Sequence, residues 1–469
     1  MLFNSLHFLL FLPIVVLLYY TLPTKFRWVL IFFASCYFYM AFVPKYILIL
    51  FAIIILDYSA GILIEKIKGK KFKLLTLILS LICNVGLLAF FKYFNFININ
   101  LEWLADILGV HFKTQLLEII LPIGLSFHTF QSMSYTIEVY RGNQKAEKHL
   151  GYFANYVLFF PQMVAGPIEK YATLGQELKK KVELVYENFS SGFRLILFGL
   201  FIKMAIADNV APIVNQVYEN PSSFNSLEIF IAILLFSIQI YADFYGYSTI
   251  AIGAAKLMGI NLIDNFKTPY LTRSVNEFWK GWHISLTSWF REYLFIPLGG
   301  SRVGYARWII NIMIIFLVSG LWHGANWTFV IWGGLHGIVY LTERGFNKLF
   351  KFKLNENFSL LNLVLGIKNF LVVSFIWVFF RAESFEKVKM IFQGLIHNTN
   401  IPEYKLHYNY SLMFAITLIA TDVVLKKNRV DSYLEKKSTF VRWAIYSVLL
   451  FGLLAMSGIE NLPFIYFQF

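Results

Sequence analysis

Residues 306–342 read ARWIINIMIIFLVSGLWHGANWTFVIWGGLHGIVYLT. Two apolar runs, 306–322 and 325–342, flank one His-Gly pair, His323-Gly324. Each run approaches the roughly 20 mostly apolar residues that cross a bilayer. The stretch reads as two spanning helices with an ionisable side chain at or near membrane depth. Runs of the same kind lie at 5–22, 28–43, 46–64, 74–91, 117–139, 187–210, 228–247, 361–380, 410–425 and 440–458. Together they predict an all-α polytopic membrane protein with about ten to twelve spans. The runs are continuous rather than alternating, which speaks against a β-barrel. The first is not read as a cleavable signal: it has no basic segment or small-residue cleavage site, and a second span follows at once.

Composition agrees. Of 469 residues, 58% are apolar, 14% charged and 19% aromatic, with 50 Phe, 27 Tyr and 11 Trp. A soluble globule cannot hide that much apolar surface in one core and stay monomeric. Disorder, coiled coil and collagen are excluded by the same figures. Cys36 and Cys83 fall inside spans and are expected as small core residues. There is no CxxC, zinc pattern or disulfide framework, and no metal is expected.

The formal net charge is +14, from 41 basic and 27 acidic residues. In a membrane protein this is a topology signal, not a nucleic-acid signal. The cluster Lys66, Lys68, Lys70, Lys71 and Lys73 is assigned to the cytoplasm. Counting outward puts Lys25 and Arg27 inside and the N-terminus outside. The loop from Asn95 to about Lys113 falls outside. Arg141, Lys145, Lys148 and Lys179–Lys181 fall inside, so the apolar stretch Leu150–Pro167 between them cannot cross once. It is expected to be re-entrant or interfacial, since irregular backbone at membrane depth must be buried in protein or line a cavity. The loop from about Tyr247 to Arg307 belongs inside, as do Lys348, Lys351, Lys353, Lys426, Lys427, Arg429, Lys436 and Lys437. The tail, Gly458–Phe469, is then outside. No repeat or soluble segment interrupts the pattern, so residues 1–469 read as one transmembrane domain, with its motifs concentrated in 241–337.

Within SVNEFWKGWHISLTSWF, apolar residues from Val275 to Phe290 recur at three- and four-residue steps, which predicts one amphipathic helix. It should lie along the interface or line a polar cavity, with His283 at the edge of its apolar stripe. His323 is a functional candidate because ionisable groups in membranes are costly, and an imidazole can act as general base toward a hydroxyl. The alternative is a structural histidine bonded to a carbonyl at a helix end. Gly324 would let a substrate approach closely. In a continuous helix His336 would stand about 20 Å further along and on another face, which favours a structural or supporting role unless Gly333-Gly334 breaks the helix. Asp243 is either a cavity-lining group or a cap for a following helix. His128 reads as a polar helix contact; His7, His111, His149, His397 and His407 read as bland.

The motifs DNFKTPY, NEFWKGWHISLTSWFREYLFIPLGG and LWHGANWTFVIWGGLHG, with MVAGPIEKY at Met163–Tyr171, resemble membrane-bound O-acyltransferases. The resemblance is to the bacterial branch that includes alginate O-acetyltransferase and the D-alanyl exporter of teichoic acid synthesis. It implies a ring of transmembrane helices around a central tunnel, in the cell membrane of a bacterium. It implies His323 as the signature histidine and His283 as the second polar position. It implies transfer of an acyl group, most simply acetyl, from a cytoplasmic thioester donor toward hydroxyls of an extracytoplasmic polysaccharide. The donor, acetyl-CoA or an acyl carrier, is a substrate; no tightly bound cofactor is expected. A partner acyltransferase outside the cell is expected. Lys280-Gly281 stands where the family pattern expects Arg-Arg or similar.

Lys267, Arg273, Lys280 and Arg291 are candidates for binding the donor's phosphates or an acidic carrier, or are ordinary inside charges. Tyr466, in the aromatic tail, is a candidate acyl relay; the alternative is an interfacial anchor. The competing functions are D-alanyl transfer toward teichoic acid and, from another class, a transporter or flippase, although no paired repeat of the transporter kind is present.

Overall fold

A computed structural model describes residues 1–110, 112–118, 122–164, 166–350, 359–400, 408–457 and 462–467. His111, Lys351, Lys353 and His407, with Asn461, Gln468 and Phe469 of the tail, lie outside the described residues. The helices are α1 (Leu6–Thr21), α2 (Thr24–Met40), α3 (Ile47–Lys66), α4 (Lys70–Leu88), α5 (Phe94–Ile107), α6 (Leu125–Arg141) and α7 (Leu150–Leu158). They continue with α8 (Tyr186–Leu200), α9 (Asp208–Glu219), α10 (Ser226–Leu257), α11 (Val275–Gly281), α12 (Ile284–Phe290) and α13 (Tyr305–His323). The last are α14 (Trp327–Leu349), α15 (Leu360–Arg381), α16 (Phe385–His397), α17 (Asn409–Leu425), α18 (Val430–Glu435) and α19 (Thr439–Met456). No strand occurs among the described residues.

Each of the twelve apolar runs coincides with a helix. Seven helical stretches among the described residues are long and apolar enough to cross a membrane, while α1 and α17 are apolar but shorter. Burial separates their roles. The most apolar window of α10 is 83% buried and that of α19 only 6%, so α10 is a core helix and α19 presents its side chains to lipid. One boundary moved: α6 begins eight residues into its run, after Gly124 takes a left-handed turn at φ 74°. Cys36 is buried as expected, but Cys83 is exposed on α4, because the outer face of that helix is built from apolar residues such as Ile78, Leu79 and Ile82.

The backbone forms two compact units, Met1–Phe189 with Ala254–Ile263, and Ser190–Gly253 with Asp264–Phe469. The first is organised around a buried carboxylate. Asp57 of α3 accepts from Ser80 Oγ (2.5 Å) and Asn84 Nδ2 (2.9 Å) of α4, and from Ser132 Oγ (2.5 Å) of α6. A buried charge is tolerated only when its oxygens are satisfied, and here the satisfying groups tie three helices together. In the same unit, α7 has nine residues, about 14 Å of helix, too short to cross a bilayer. Among the described residues, the chain after it is non-helical to Lys170. Side chains satisfy that segment: Ser35 Oγ accepts from Phe160 N (3.1 Å), Gln131 Nε2 donates to the Tyr156 carbonyl, and His128 Nδ1 bonds the Val157 carbonyl at 2.9 Å. Residues 153–160 are buried throughout, as irregular backbone in a membrane protein requires.

In the second unit, two helix pairs meet through glycine. A Cβ on Gly320 would lie 2.2 Å from the Phe329 carbonyl oxygen, and one on Gly333 2.1 Å from that of Phe316. So α13 and α14 form a hairpin whose backbones touch, the close approach that small residues permit between membrane helices. On the other pair, a Cβ at Gly199 would meet the Gly246 carbonyl at 2.7 Å, and one at Gly253 the Gly192 carbonyl at 2.8 Å. Beyond that contact α8 passes into α9 through a π-helical turn, Phe201–Ala207, which carries Lys203 against α10.

Candidate active site

The expected amphipathic helix is two helices. α11 ends at Gly281 and α12 begins at Ile284, with His283 between them in the left-handed region at φ 42°, ψ 57°. The break is held from outside. Lys267 N donates to the Gly281 carbonyl and Ile284 N to the Asn265 carbonyl, each at 2.9 Å. Asn265 Oδ1 accepts from Ser285 Oγ at 2.7 Å. A Cβ at Gly281 would stand 2.6 Å from the Lys267 carbonyl oxygen, so only glycine lets the 265–268 segment lie there. His283 is therefore fully buried rather than at a stripe edge. Burial holds its pKa down, to about 3, because a desolvated imidazolium is unfavourable. It is a neutral ring at physiological pH.

His323 is the last residue of α13 and 5% exposed. The chain then reverses: Gly324 is extended, and Asn326 caps α14 by accepting from Thr328 N at 3.0 Å. The single-helix construction for His336 fails at this reversal. α14 runs through Gly333-Gly334 unbroken. Within the hairpin His323 and His336 are separated by one ring: Trp332 lies 5.1 Å from each. His336 is fully buried, parallel to Phe278 at 6.1 Å and edge-on to Trp279 at 5.1 Å. Neither of its nitrogens has a hydrogen-bond partner among the described residues. The space beside Gly324 is taken as well. A Cβ there would lie 2.1 Å from the Phe329 ring, so this glycine admits Phe329 rather than a substrate.

The structure draws the two other histidine neighbourhoods together through the tail. Tyr466 has its ring 5.7 Å from that of His323 and 4.9 Å from that of Phe244. Phe244 in turn meets His283 edge-on at 4.7 Å. Phe380 borders both His323 (5.3 Å) and Tyr466 (6.0 Å), and Trp322 stands 6.5 Å from His283. His283, Phe244, Tyr466 and His323 thus form one continuous run of rings, buried except at Tyr466, which is partly exposed. Burial raises the Tyr466 phenol above its ordinary range, so it would act as a nucleophile only with a base beside it.

Asp243 lies mid-helix in α10 and caps no following helix. Its carboxylate pairs with Lys203 Nζ at 2.6 Å and accepts from Ile465 N at 2.5 Å. The four basic candidates do not share one place. Lys267 lines an open polar pocket with Asp264, Lys427 and Arg429. Arg273 is paired with Glu277 at 2.8 Å. Lys280 and Arg291 are exposed and outside that pocket. Sequence reasoning missed Phe244, Trp332 and Phe380, which look like ordinary apolar residues, and Asn265. It also missed Lys203, although a lysine inside the 187–210 run was a visible signal.

A chain with this hairpin histidine and these motifs can be compared with known proteins. The model of the membrane-bound O-acyltransferase family matches residues 79–382. The peptidoglycan O-acetyltransferase of Helicobacter pylori is 34% identical over 391 residues, covering 77% of this chain and 72% of that protein. The probable alginate O-acetylase of Pseudomonas aeruginosa is 34% identical over 400 residues, covering 84% and 75%. The teichoic acid D-alanyltransferase of Streptococcus thermophilus is 29% identical over 235 residues, covering 46% and 55%. The chain is a multi-pass member of the membrane-bound O-acyltransferase family and an O-acyltransferase.

Proposed function

We propose that this enzyme moves an acetyl group from a cytoplasmic thioester donor toward hydroxyls of an extracytoplasmic polysaccharide, in the cell membrane of a bacterium. His323 serves as the general base. It takes the proton of a hydroxyl as that oxygen attacks the thioester carbonyl; the carbon–sulfur bond then breaks and the thiolate leaves with the proton. His283, a neutral ring, orients the donor. The first hydroxyl is the Tyr466 phenol, giving an acetyl-tyrosine ester and free thiol. A second hydroxyl, on a partner acyltransferase or on the polysaccharide, takes the acetyl group and restores the phenol. Lys267 at its polar pocket receives the donor, and the chain works as one transmembrane domain.

The observation that supports this reading is the contact between the His323 and Tyr466 rings, 5.7 Å between centres. The acetyl group is favoured because matches to O-acetylating relatives cover more than three quarters of the chain. D-alanyl transfer is the second reading, supported by a relative that matches 46% of it.

The experiment uses the purified chain in lipid with acetyl-CoA and, separately, a D-alanyl carrier thioester. His323→Ala should lose about 10²–10⁴-fold in acyl transfer while remaining in the membrane. Near-normal transfer by that variant would sink the base assignment. Tyr466→Phe keeps the packing and removes one oxygen; full activity in that variant would end the relay. Cleavage of the D-alanyl donor alone would select the second reading.

A further inference from the structure

The tail is held by charge as well as by rings. Lys203 Nζ sits between Asp208 Oδ1 and Asp243 Oδ1, each at 2.6 Å, and the three side chains are 2%, 11% and 4% exposed. One ammonium faces two carboxyl groups. The second oxygen of one of them meets the tail backbone, where Ile465 N donates to Asp243 Oδ2 at 2.5 Å. A hydrogen bond to a charged acceptor is about twice as strong as one between neutral groups. The same turn of α10 supplies the flanking contacts. Phe244 packs on Tyr466 at 4.9 Å, and Tyr247 on Phe464 at 4.8 Å. Lys203 also lies over the Tyr247 ring, 5.6 Å from its centre. Phe464 and Ile465 are buried, 0% and 2% exposed. The glycine contacts between α8 and α10 bring the ammonium to this turn, since a Cβ at Gly246 would stand 2.9 Å from Lys203 N.

We infer that Lys203, Asp208 and Asp243 form a charge clasp that seats Leu462–Tyr466 and so fixes the Tyr466 ring against His323. They are positioning residues for the transfer, which act through the tail. The inference rests on the proposed role of the His323–Tyr466 contact, and its test is arranged so that the two can fail separately.

A reporter cysteine replaces Ile465, which is 2% exposed, lines the pocket beside Lys203, Asp208 and Asp243, and keeps its backbone N–H on substitution. Cys36→Ala and Cys83→Ala leave the reporter as the single thiol. The full-length chain in membranes is treated with a small maleimide, and acyl transfer is measured in parallel. Asp243→Asn keeps the shape and an acceptor oxygen but loses the charge. It should label about tenfold faster, the scale of losing a charge-assisted hydrogen bond. Its kcat for transfer should fall while the donor KM stays. Lys203→Arg keeps the cation and should retain slow labelling and transfer. Lys203→Met should label fastest; should it fail to reach the membrane, the other two variants decide. Unchanged labelling in Asp243→Asn would overturn the clasp, whatever Tyr466 does. Faster labelling with unchanged kcat would overturn its positioning role. Slow labelling with full transfer in Tyr466→Phe would leave the clasp standing and overturn the relay.

Discussion

Alanine at Gly333 is expected to damage both stability and activity, and the hairpin geometry says by how much. A Cβ there would stand 2.1 Å from the Phe316 carbonyl oxygen, where ordinary contact begins near 3.4 Å. The obstacle is backbone, so no side chain can swing aside, and α13 and α14 must separate by about 1 Å. Overpacking of this kind costs about 1–3 kcal/mol. Alanine's better helix propensity returns up to about 1 kcal/mol, so the net sign is destabilising. Separation also moves His323, at the end of α13, relative to Trp332 on α14 and to Tyr466. A displacement near 1 Å in a positioned catalytic group can cost about 10²-fold in rate. Two controls lie on the same helix. A Cβ at Gly334 meets Leu317 at 3.4 Å, and one at Gly345 meets nothing within 4 Å. Thermal midpoints in detergent and acyl-transfer rates should fall for Gly333→Ala and hold for Gly334→Ala and Gly345→Ala. If all three behaved alike, the argument from backbone contact would be refuted.

Asp57→Ala should lower the thermal midpoint, because it strands the Ser80, Asn84 and Ser132 donors at a cost of about 2–4 kcal/mol; an unchanged midpoint would mean the carboxylate does not tie α3, α4 and α6. The folded pKa of His283 is near 3, against about 6.5 unfolded, so the unfolded chain holds the extra proton between those values. Stability should therefore rise with pH across that window, be complete above it, and be lost as pH falls; His283→Gln should flatten this acid limb in a melting series. Lys267→Glu with Lys427→Glu should raise the donor KM about tenfold with little change in kcat, and Lys280→Glu with Arg291→Glu should do less; the reverse order would move donor binding out of the polar pocket.

Much of the architecture was legible because the bilayer imposes a simple rule, about 20 apolar residues per crossing. Every apolar run became a helix, and the basic residues on both sides of Leu150–Pro167 anticipated a segment too short to cross. His323 was legible for the same reason: a lone imidazole between two apolar runs is conspicuous. What periodicity could not give was the break at His283. Its apolar spacing is helical on both sides, and the interruption comes from Lys267 and Asn265, which bond to Gly281 and Ile284 from 14 and 19 residues away in sequence. The tail's place was equally hidden. Nothing local in Phe464–Tyr466 names α10 as its seat; the partners are Asp243, Phe244 and Tyr247, more than 200 residues earlier. The single-helix construction for His336 failed because Gly324 and Asn326 end one helix and start another, the division that the two apolar runs on either side of His323-Gly324 already indicated.

The ring shell around His323 has a consequence for the fate of the acyl group. A thioester is thermodynamically ready to lose its acyl group to water, the most abundant hydroxyl in any cell. An enzyme that activates hydroxyls indiscriminately would waste its donor as fast as it used it. Trp322, Trp332, Phe380 and Tyr466 stand at ring-centre distances of 4.8–5.7 Å from His323, leaving a stray water few polar partners to hold it there. If His323 is the base proposed above, the wall of aromatics would act as a kinetic filter between transfer and hydrolysis. Thinning it, as in Phe380→Ala, should surface first as a leak: donor consumed with no ester formed.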